Sequence, residues 1–494
     1  MSSFYERKTV SGRRLTVVTL GVMFSLFMAA LEVTVVATAM PTIIAQLGGL
    51  ARYSWVFSAY MVASTTTIPL YGKLSDIYGR KPVFLTAMSL FLAGSILSGQ
   101  SRSMVELIVF RALQGLGSGG LMPLSFIIIG DLFSFEQRAR MQGLFSGVWG
   151  VASIIGPLIG GFVVDQLSWR WVFYINVVPG FIAGTLFWVA WRELSGHDSK
   201  TNPPIDYMGA AFLTTGVVVL LLGLFKVQTP AGWAMIFLSI ALFIALLKVE
   251  QVAADPILPL GLFRDRLFAV GTAQGLLGGW AMFGSTSFVP LFVQMSLSKT
   301  ATVAGSTLTP MMLGWVVASI VGSRLLLHFS YRSIVLVGMS FLTAGSFLMS
   351  LVTIDTSLPR VMFNLAMMGI GMGLTVPAFT IAVQSSVERK RLGTATATLQ
   401  FARVIGGALG VSVMGLILSL RFAANLKSAG VEGAVISLQD LVRPLHAATA
   451  VADASLRGAL TGAVESVFVA AFAAAVVGLA VTVLTPHSHL RRRR

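Results

Sequence analysis

Long apolar runs, repeated along nearly the whole chain, constrain this sequence more than any other feature. About 20 consecutive apolar residues make a helix long enough to cross a bilayer. Such runs read at 15–40, 53–71, 83–100, 105–129, 141–164, 171–192, 207–226, 231–251, 267–294, 302–325, 333–353, 359–383, 394–420 and 459–484. In hydrocarbon every backbone N–H and C=O must be satisfied inside the segment, so the runs are expected as helices. Only 11% of the 494 residues are charged and 55% are hydrophobic, against roughly 25% charged in soluble domains. The expected fold class is an all-α polytopic membrane protein with fourteen transmembrane helices. The first run is long for the core of a cleavable leader and lacks a convincing cleavage site, so it reads as the first span.

The formal charge of +16 is scattered between the apolar runs. It is not gathered into one basic domain, which argues against nucleic acid as a partner. Membrane lipids and topology account for it better. With the N-terminus inside, roughly two thirds of the 35 Lys and Arg, Arg491 to Arg494 included, fall in cytoplasmic segments. That bias sets both termini in the cytoplasm, and the expected location is the cytoplasmic (inner) membrane. Cysteine is absent, which removes disulfides, thiolate nucleophiles and Cys metal sites. The five histidines lie in loops, helix ends or the tail, so no metal site is expected within the membrane. No H-E-x-x-H or G-x-S-x-G occurs, and Leu74 follows Gly72-Lys73 where a P-loop would need Ser or Thr. Neither an enzyme nor an ATP-driven motor is expected.

The sequence repeats itself at an offset of about 250 residues, as in proteins built from two parallel membrane repeats. Gly115-x-Gly117 with Pro123 recurs as Gly369-x-Gly371 with Pro377, and Glu136 with Arg138 recurs as Glu388 with Lys390. Gly160-Gly161 recurs as Gly406-Gly407, and Gly72 to Arg80 has a worn counterpart in Gly322 to Arg332. The expected organisation is an N-terminal six-helix bundle over 1–192 and a region 193–266 of linkers and two inserted transmembrane helices. A C-terminal six-helix bundle follows over 267–494, with a long outer loop at 421–458 and a basic cytoplasmic tail.

Several charged or polar residues fall inside the runs, where a lone ionisable group is costly and should face a cavity or a partner. Glu32 is eight residues before Met40, about 12 Å from the outer end of the first run, and Arg111 is about 9 Å from the same face in the fourth. The two share a level in the outer half, although helix rotation decides whether they meet. A protonated Glu32 bonding a neighbouring helix is the plainer alternative. Arg403 sits about 14 Å into the thirteenth run from its cytoplasmic start. Gln114, Gln274, Trp280, Asn364, Gln400 and Arg403 are candidates for a substrate cavity, though each alone is as compatible with helix packing. Glu465, in the last run, is a candidate second acid or a solvated rim carboxylate. Gly115 to Gly120 matches G-x-G-x-x-G, but inside an apolar helix its small residues suit close packing, not a dinucleotide.

The charged stretch Gly72-Lys73-Leu74-Ser75-Asp76-Ile77-Tyr78-Gly79-Arg80-Lys81 reads as a short cytoplasmic hinge. Glycines at both ends permit turning, and Asp76 lies among basic groups. Its pattern, G-x-L-x-D-x-x-G-R-K, resembles the loop between the second and third helices of major facilitator superfamily transporters. The resemblance implies that Gly72, Asp76, Gly79, Arg80 and Lys81 form a conformational latch; a solvated charged turn is the alternative. Leu31 to Pro41, Arg111-Ala112-Leu113-Gln114-Gly115-Leu116-Gly117 and Trp169 to Asn176 resemble the fourteen-helix drug:proton antiporter branch, the quaternary-ammonium and multidrug exporter type. The inserted helix pair is similar to that branch as well. Gly156-Pro157-Leu158-Ile159-Gly160-Gly161 resembles the helix 5 motif that marks antiporters.

The resemblance implies a monomeric proton-coupled antiporter that exports small amphipathic or hydrophobic molecules by alternating access, with Glu32 and Arg111 coupling protons. Its cofactor is none beyond the proton gradient. The branch usually carries Asp where this chain has Glu32. Clear carboxylates are also missing from the second-half runs, which disfavours divalent cationic drugs. A dedicated metabolite, lipid or anion exporter or a symporter of the same fold is the alternative, and a non-transporting membrane enzyme or sensor a more distant one.

Overall fold

The computed structural model describes residues 12–47, 53–191, 206–227, 229–253, 256–258, 260–299, 301–428 and 450–486. At some positions within its helices, Pro157 and Gly161 among them, only the backbone is described. The described residues form helices α1 (Gly12–Leu47), α2 (Tyr53–Tyr78), α3 (Arg80–Gln100), α4 (Met104–Leu132), α5 (Phe135–Gln166), α6 (Trp171–Tyr174), α7 (Val177–Ala190), α8 (Tyr207–Phe225) and α9 (Pro230–Val252). After these come α10 (Arg266–Leu291), α11 (Ala301–Ser306), α12 (Thr309–Leu325), α13 (Tyr331–Ser350), α14 (Leu358–Ser386), α15 (Leu392–Ser428) and α16 (Ala450–Val483). Among the described residues, 12 helices are long and apolar enough to cross a membrane, with α6 and α7 counted as one span. The long helices α2 and α5 are not among those 12; α2 carries Lys73 and Asp76 near its C-terminal end, and α5 carries Glu136, Arg138 and Arg140 near its N-terminal end.

Short polar connections stop and restart the chain at defined points. Ser103 caps α4 by accepting from the Glu106 N–H, Ser134 and Gln137 form a capping box on α5, and Asp265 caps α10 through the Leu267 N–H. Where hinge turns were expected at both Gly72 and Gly79, α2 runs straight through Gly72 to Tyr78, and only Gly79 turns, at φ 89°. The glycine at 72 serves close packing: the backbone of Gly393 and the methyl of Ala397 lie where a Cβ would stand. The loop expected over 421–458 is shorter in the structure: 421–428 continue α15 and 450–458 begin α16, while 429–449 lie outside the described residues. The linker 193–205 also lies outside them.

The contacts divide the chain into two compact units. The first comprises Met1–Arg138, Gly147–Asp206 and Glu388–Ala397; the second comprises Ala139–Ser146, Tyr207–Val387 and Thr398–Arg494. In the first, Gly115 and Gly119 of α4 meet the α2 backbone at Tyr60 and Ser64, and Gly117 meets α3 at Ala87 and Phe91. In the second, Gly369 and Gly373 of α14 meet α12 at Met311 and Trp315, and Gly371 meets α13 at Gly338 and Leu342. The sequence repeat is thus a repeat of packing. Alternate glycines on a proline-containing helix admit two different neighbours to backbone contact, the way helices associate where no water drives them together. The core of the second unit is lined by Met282, Phe292, Met311, Leu342, Met372 and Phe468. The pair α8 and α9 belongs to that unit, joined through Gly216 and Gly223 and by Ser239 Oγ donating to the Gly216 carbonyl at 3.0 Å.

Candidate functional site

The first unit buries an ion pair inside a closed ring of polar side chains. Glu32 on α1 and Arg111 on α4 are 1% and 2% exposed, and Arg111 Nη1 donates to Glu32 Oε1. The same nitrogen donates to Gln114 Oε1 at 2.7 Å, one turn along α4. Gln114 Nε2 donates to Ser95 Oγ at 3.2 Å. Asn176 Nδ2 donates to Ser95 Oγ at 3.2 Å and to Glu32 Oε2 at 2.5 Å, which closes the ring. Ser95 hands its own proton to the Phe173 carbonyl at 2.8 Å.

Local structure sets each member. Gly94 lets α3 approach the α4 backbone at Gln114, which brings Ser95 within reach. Asn176 stands in the break between α6 and α7, held nearby by Trp169 Nε1 donating to Gln46 Oε1 at 2.8 Å. The Arg111 guanidinium lies 4.1 Å from the Tyr60 ring centroid, and Tyr60 Oη shares a 2.6 Å hydrogen bond with Ser118. A buried pair is retained only with such extra partners, since the Coulomb gain alone barely offsets desolvation. Asn176, Ser95 and Tyr60 were not among the expected site residues. Asn176 ends the Trp169 string already singled out, and that was its only sequence signal.

A second network joins α2, α3, α4 and the start of α15 within the first unit. Arg80 donates through Nε to Asp131 Oδ2 at 2.7 Å, and through Nη1 to Asp76 Oδ1 at 2.6 Å and Ser75 Oγ at 2.8 Å. Asp76 also accepts from the Gly393 N–H at 3.0 Å, the Thr394 N–H at 2.8 Å and Thr394 Oγ1 at 2.9 Å. Asp76 therefore caps the N-terminus of α15, where unpaired amides and the helix dipole favour a carboxylate. Arg138 donates to the Phe133 carbonyl at 2.9 Å and to the Gly130 carbonyl, finishing α4 beside Asp131. Gly79 makes the turn, and Lys81 Nζ lies 5.0 Å from the Trp188 ring centroid. Asp131, Gly393 and Thr394 complete this network and were not anticipated.

The remaining candidates do not form one hydrogen-bonded group. Gly156 and Gly160 are buried in α5, and the surroundings of Pro157 and Gly161 lie outside what is described. Gln274 Nε2 donates to Met339 Sδ at 3.3 Å. Asn364 Nδ2, Trp280 Nε1, both amide atoms of Gln400 and Arg403 Nε are buried without a partner. Glu465 is exposed on α16.

Residues 22–411 match the profile of the Major Facilitator Superfamily. The chain is 38% identical over 412 residues to the Multidrug transporter protein MdtP of Bacillus subtilis (strain 168), covering 82% of this chain and 76% of the relative. It is 38% identical over 422 residues to Multidrug resistance protein 3 of the same organism, covering 83% and 81%. Among solved structures it is similar in fold to the human organic anion transporter MFSD10 (TETRAN), with TM-score 0.63 and 16% identity over 94% of this chain and 99% of that one. The proton:xylose symporter XylE aligns with TM-score 0.62 and 10% identity over 95% of each chain. By its profile and its relatives, the chain belongs to the major facilitator superfamily: it is a multi-pass membrane transporter and not an enzyme.

Proposed function

We propose that this transporter exports small amphipathic compounds across the cytoplasmic membrane in exchange for protons, as a monomer of the fourteen-span drug:proton antiporter type. The names of its 38%-identical relatives support multidrug export. The helices α2 and α5, added to the 12 apolar spans, support fourteen crossings. The skew of Lys and Arg supports cytoplasmic termini.

The observation that carries proton coupling is the closed ring around Glu32. Its carboxylate is the one buried acid of that ring, and both of its oxygens are bound by donors from different helices, Arg111 on α4 and Asn176 before α7. A proton on Glu32 removes the charge that Arg111 answers and turns one accepting oxygen into a donor. Arg111 then keeps Gln114, the Val56 carbonyl and the Tyr60 ring. The ring holds α1, α3, α4 and the α6–α7 break together in one state only, so protonation favours the other. Asp76, bound to Arg80 and to the α15 amides, acts as the latch that favours one state at the cytoplasmic end.

The test is flux in proteoliposomes of the purified protein, with N-phenyl-1-naphthylamine as a neutral amphipathic probe. Accumulation that requires an imposed pH gradient is expected. Equal movement with and without the gradient overturns proton coupling, and no protein-dependent movement of any amphipathic probe overturns multidrug export.

A further inference from the structure

Within the second unit, α10 and α15 meet backbone to backbone. Gly275 lies beside the Leu399 carbonyl, Gly279 beside Arg403, Gly406 beside Leu276 and Gly410 beside Trp280. Such close approach leaves little room for side chains between the axes, so those next to the seam stand along its edge. Gln400 and Arg403 are one turn apart on a single face of α15. A Cβ at Gly407, a further turn along that face, would meet the Phe283 ring, and one at Gly410 would meet Trp280.

These side chains share an unusual property. Arg403 is 7% exposed and Gln400 is 2% exposed. Yet Arg403 Nε, both amide atoms of Gln400 and the Trp280 indole N–H have no partner. Arg111 in the first unit is answered by Glu32; among the described residues no acid answers Arg403. The other buried charge described in the second unit, Glu250, accepts the Leu258 N–H at 3.3 Å and serves the end of α9. A buried, unanswered guanidinium is among the costliest arrangements a membrane protein can keep, and so is an amide with neither end satisfied. Three of these four unmatched groups are donors, and the fourth is an amide oxygen.

We infer that Arg403 and Gln400 form an anion subsite of the second unit, which takes the carboxylate or sulfonate of an aromatic amphipathic cargo. The guanidinium fork suits two oxygens of such a group. Gln400 offers an amide donor beside it, and Trp280 and Phe283 supply an aromatic wall and one more N–H. The inference rests on the export reading above and names the chemistry of part of what is exported.

Two probes that share a scaffold separate the claims. 8-Anilinonaphthalene-1-sulfonate carries an acid, and N-phenyl-1-naphthylamine is its uncharged counterpart. Binding of each to the purified full-length protein in phosphatidylcholine nanodiscs is read by fluorescence against empty nanodiscs. The wild type is expected to prefer the sulfonate. The ratio of the two affinities should fall about tenfold in Arg403→Gln and be largely kept in Arg403→Lys. An unchanged ratio in Arg403→Gln, or equal losses for both probes, overturns the subsite. Loss of the wild-type preference when phosphatidylglycerol is added, with Arg403→Gln indifferent to that lipid, assigns the site to lipid headgroups and overturns it as a cargo site. In proteoliposomes, naphthylamine transport without sulfonate preference defeats the subsite alone. Transport of neither probe by the wild type defeats the export reading.

Discussion

Glu32 and Arg111 were within reach of sequence arithmetic because depth along a helix follows from residue count alone. What the count could not give is rotation about each axis, and there the structure adds the decisive fact that the two side chains meet. Asn176 was harder to foresee. It sits at a break between two short helices, so no periodicity assigns it a face, and the fold alone brings it to Glu32. Its role predicts a distinctive variant. Asn176→Leu leaves Glu32 Oε2 without its amide donor while keeping Arg111 in place, and should cost about 1–3 kcal/mol of stability. Thermal unfolding in detergent checks that cost. Transport in this variant should also titrate at a pH different from the wild type, whereas a change in melting with an unmoved pH profile would make Asn176 structural only. Glu32→Asp, which shortens the reach to Arg111 by one methylene, should keep part of the activity.

At the scale of helices, the apolar runs located the elements well, and their ends less well. Membrane composition marks where a helix is buried and is silent on how far it continues into water, which is why α2 passes through Gly72 and α15 extends to Ser428. The capping of α15 by Asp76 could not be read from the chain, because two of its three donors there are the backbone amides of Gly393 and Thr394, which carry no side-chain signature. If this contact favours one of two states, Asp76→Asn and Arg80→Ala should slow turnover several-fold while probe affinity stays near the wild-type value. Unchanged transport in both variants would reduce the network to a stable turn. Packing makes a separate prediction. Gly117 and Gly371 occupy corresponding places, one against α3 and one against α13, so Leu at either position should prevent a stable fold. Size-exclusion profiles of the detergent-solubilised variants report this, and a monodisperse Gly371→Leu protein would contradict the packing account.

For the molecule as a whole, the repeat was legible as recurring glycines and prolines, and the structure turns it into a repeated set of helix contacts. The functional polar groups are not repeated. The places of Arg111 and Gln114 in α4 are taken by Leu365 and Met368 in α14, so the acid–base ring belongs to the first unit and the unanswered Arg403 to the second. Orientation in the membrane is open to direct test, since the chain has 0 cysteines. A single Cys placed in 429–449 should react with an impermeant maleimide from outside, and one in 194–204 should not; the opposite pattern would reverse the direction of transport. The central claim is that Glu32 carries the exchanged proton. The most direct measurement is the pH inside proteoliposomes, followed with a trapped dye as naphthylamine probe is added to the wild type and to Glu32→Gln. The wild type should move protons on probe addition, and Glu32→Gln should still bind the probe, with no pH dependence, yet move none. A Glu32→Gln protein that moves protons and accumulates probe like the wild type would contradict the account.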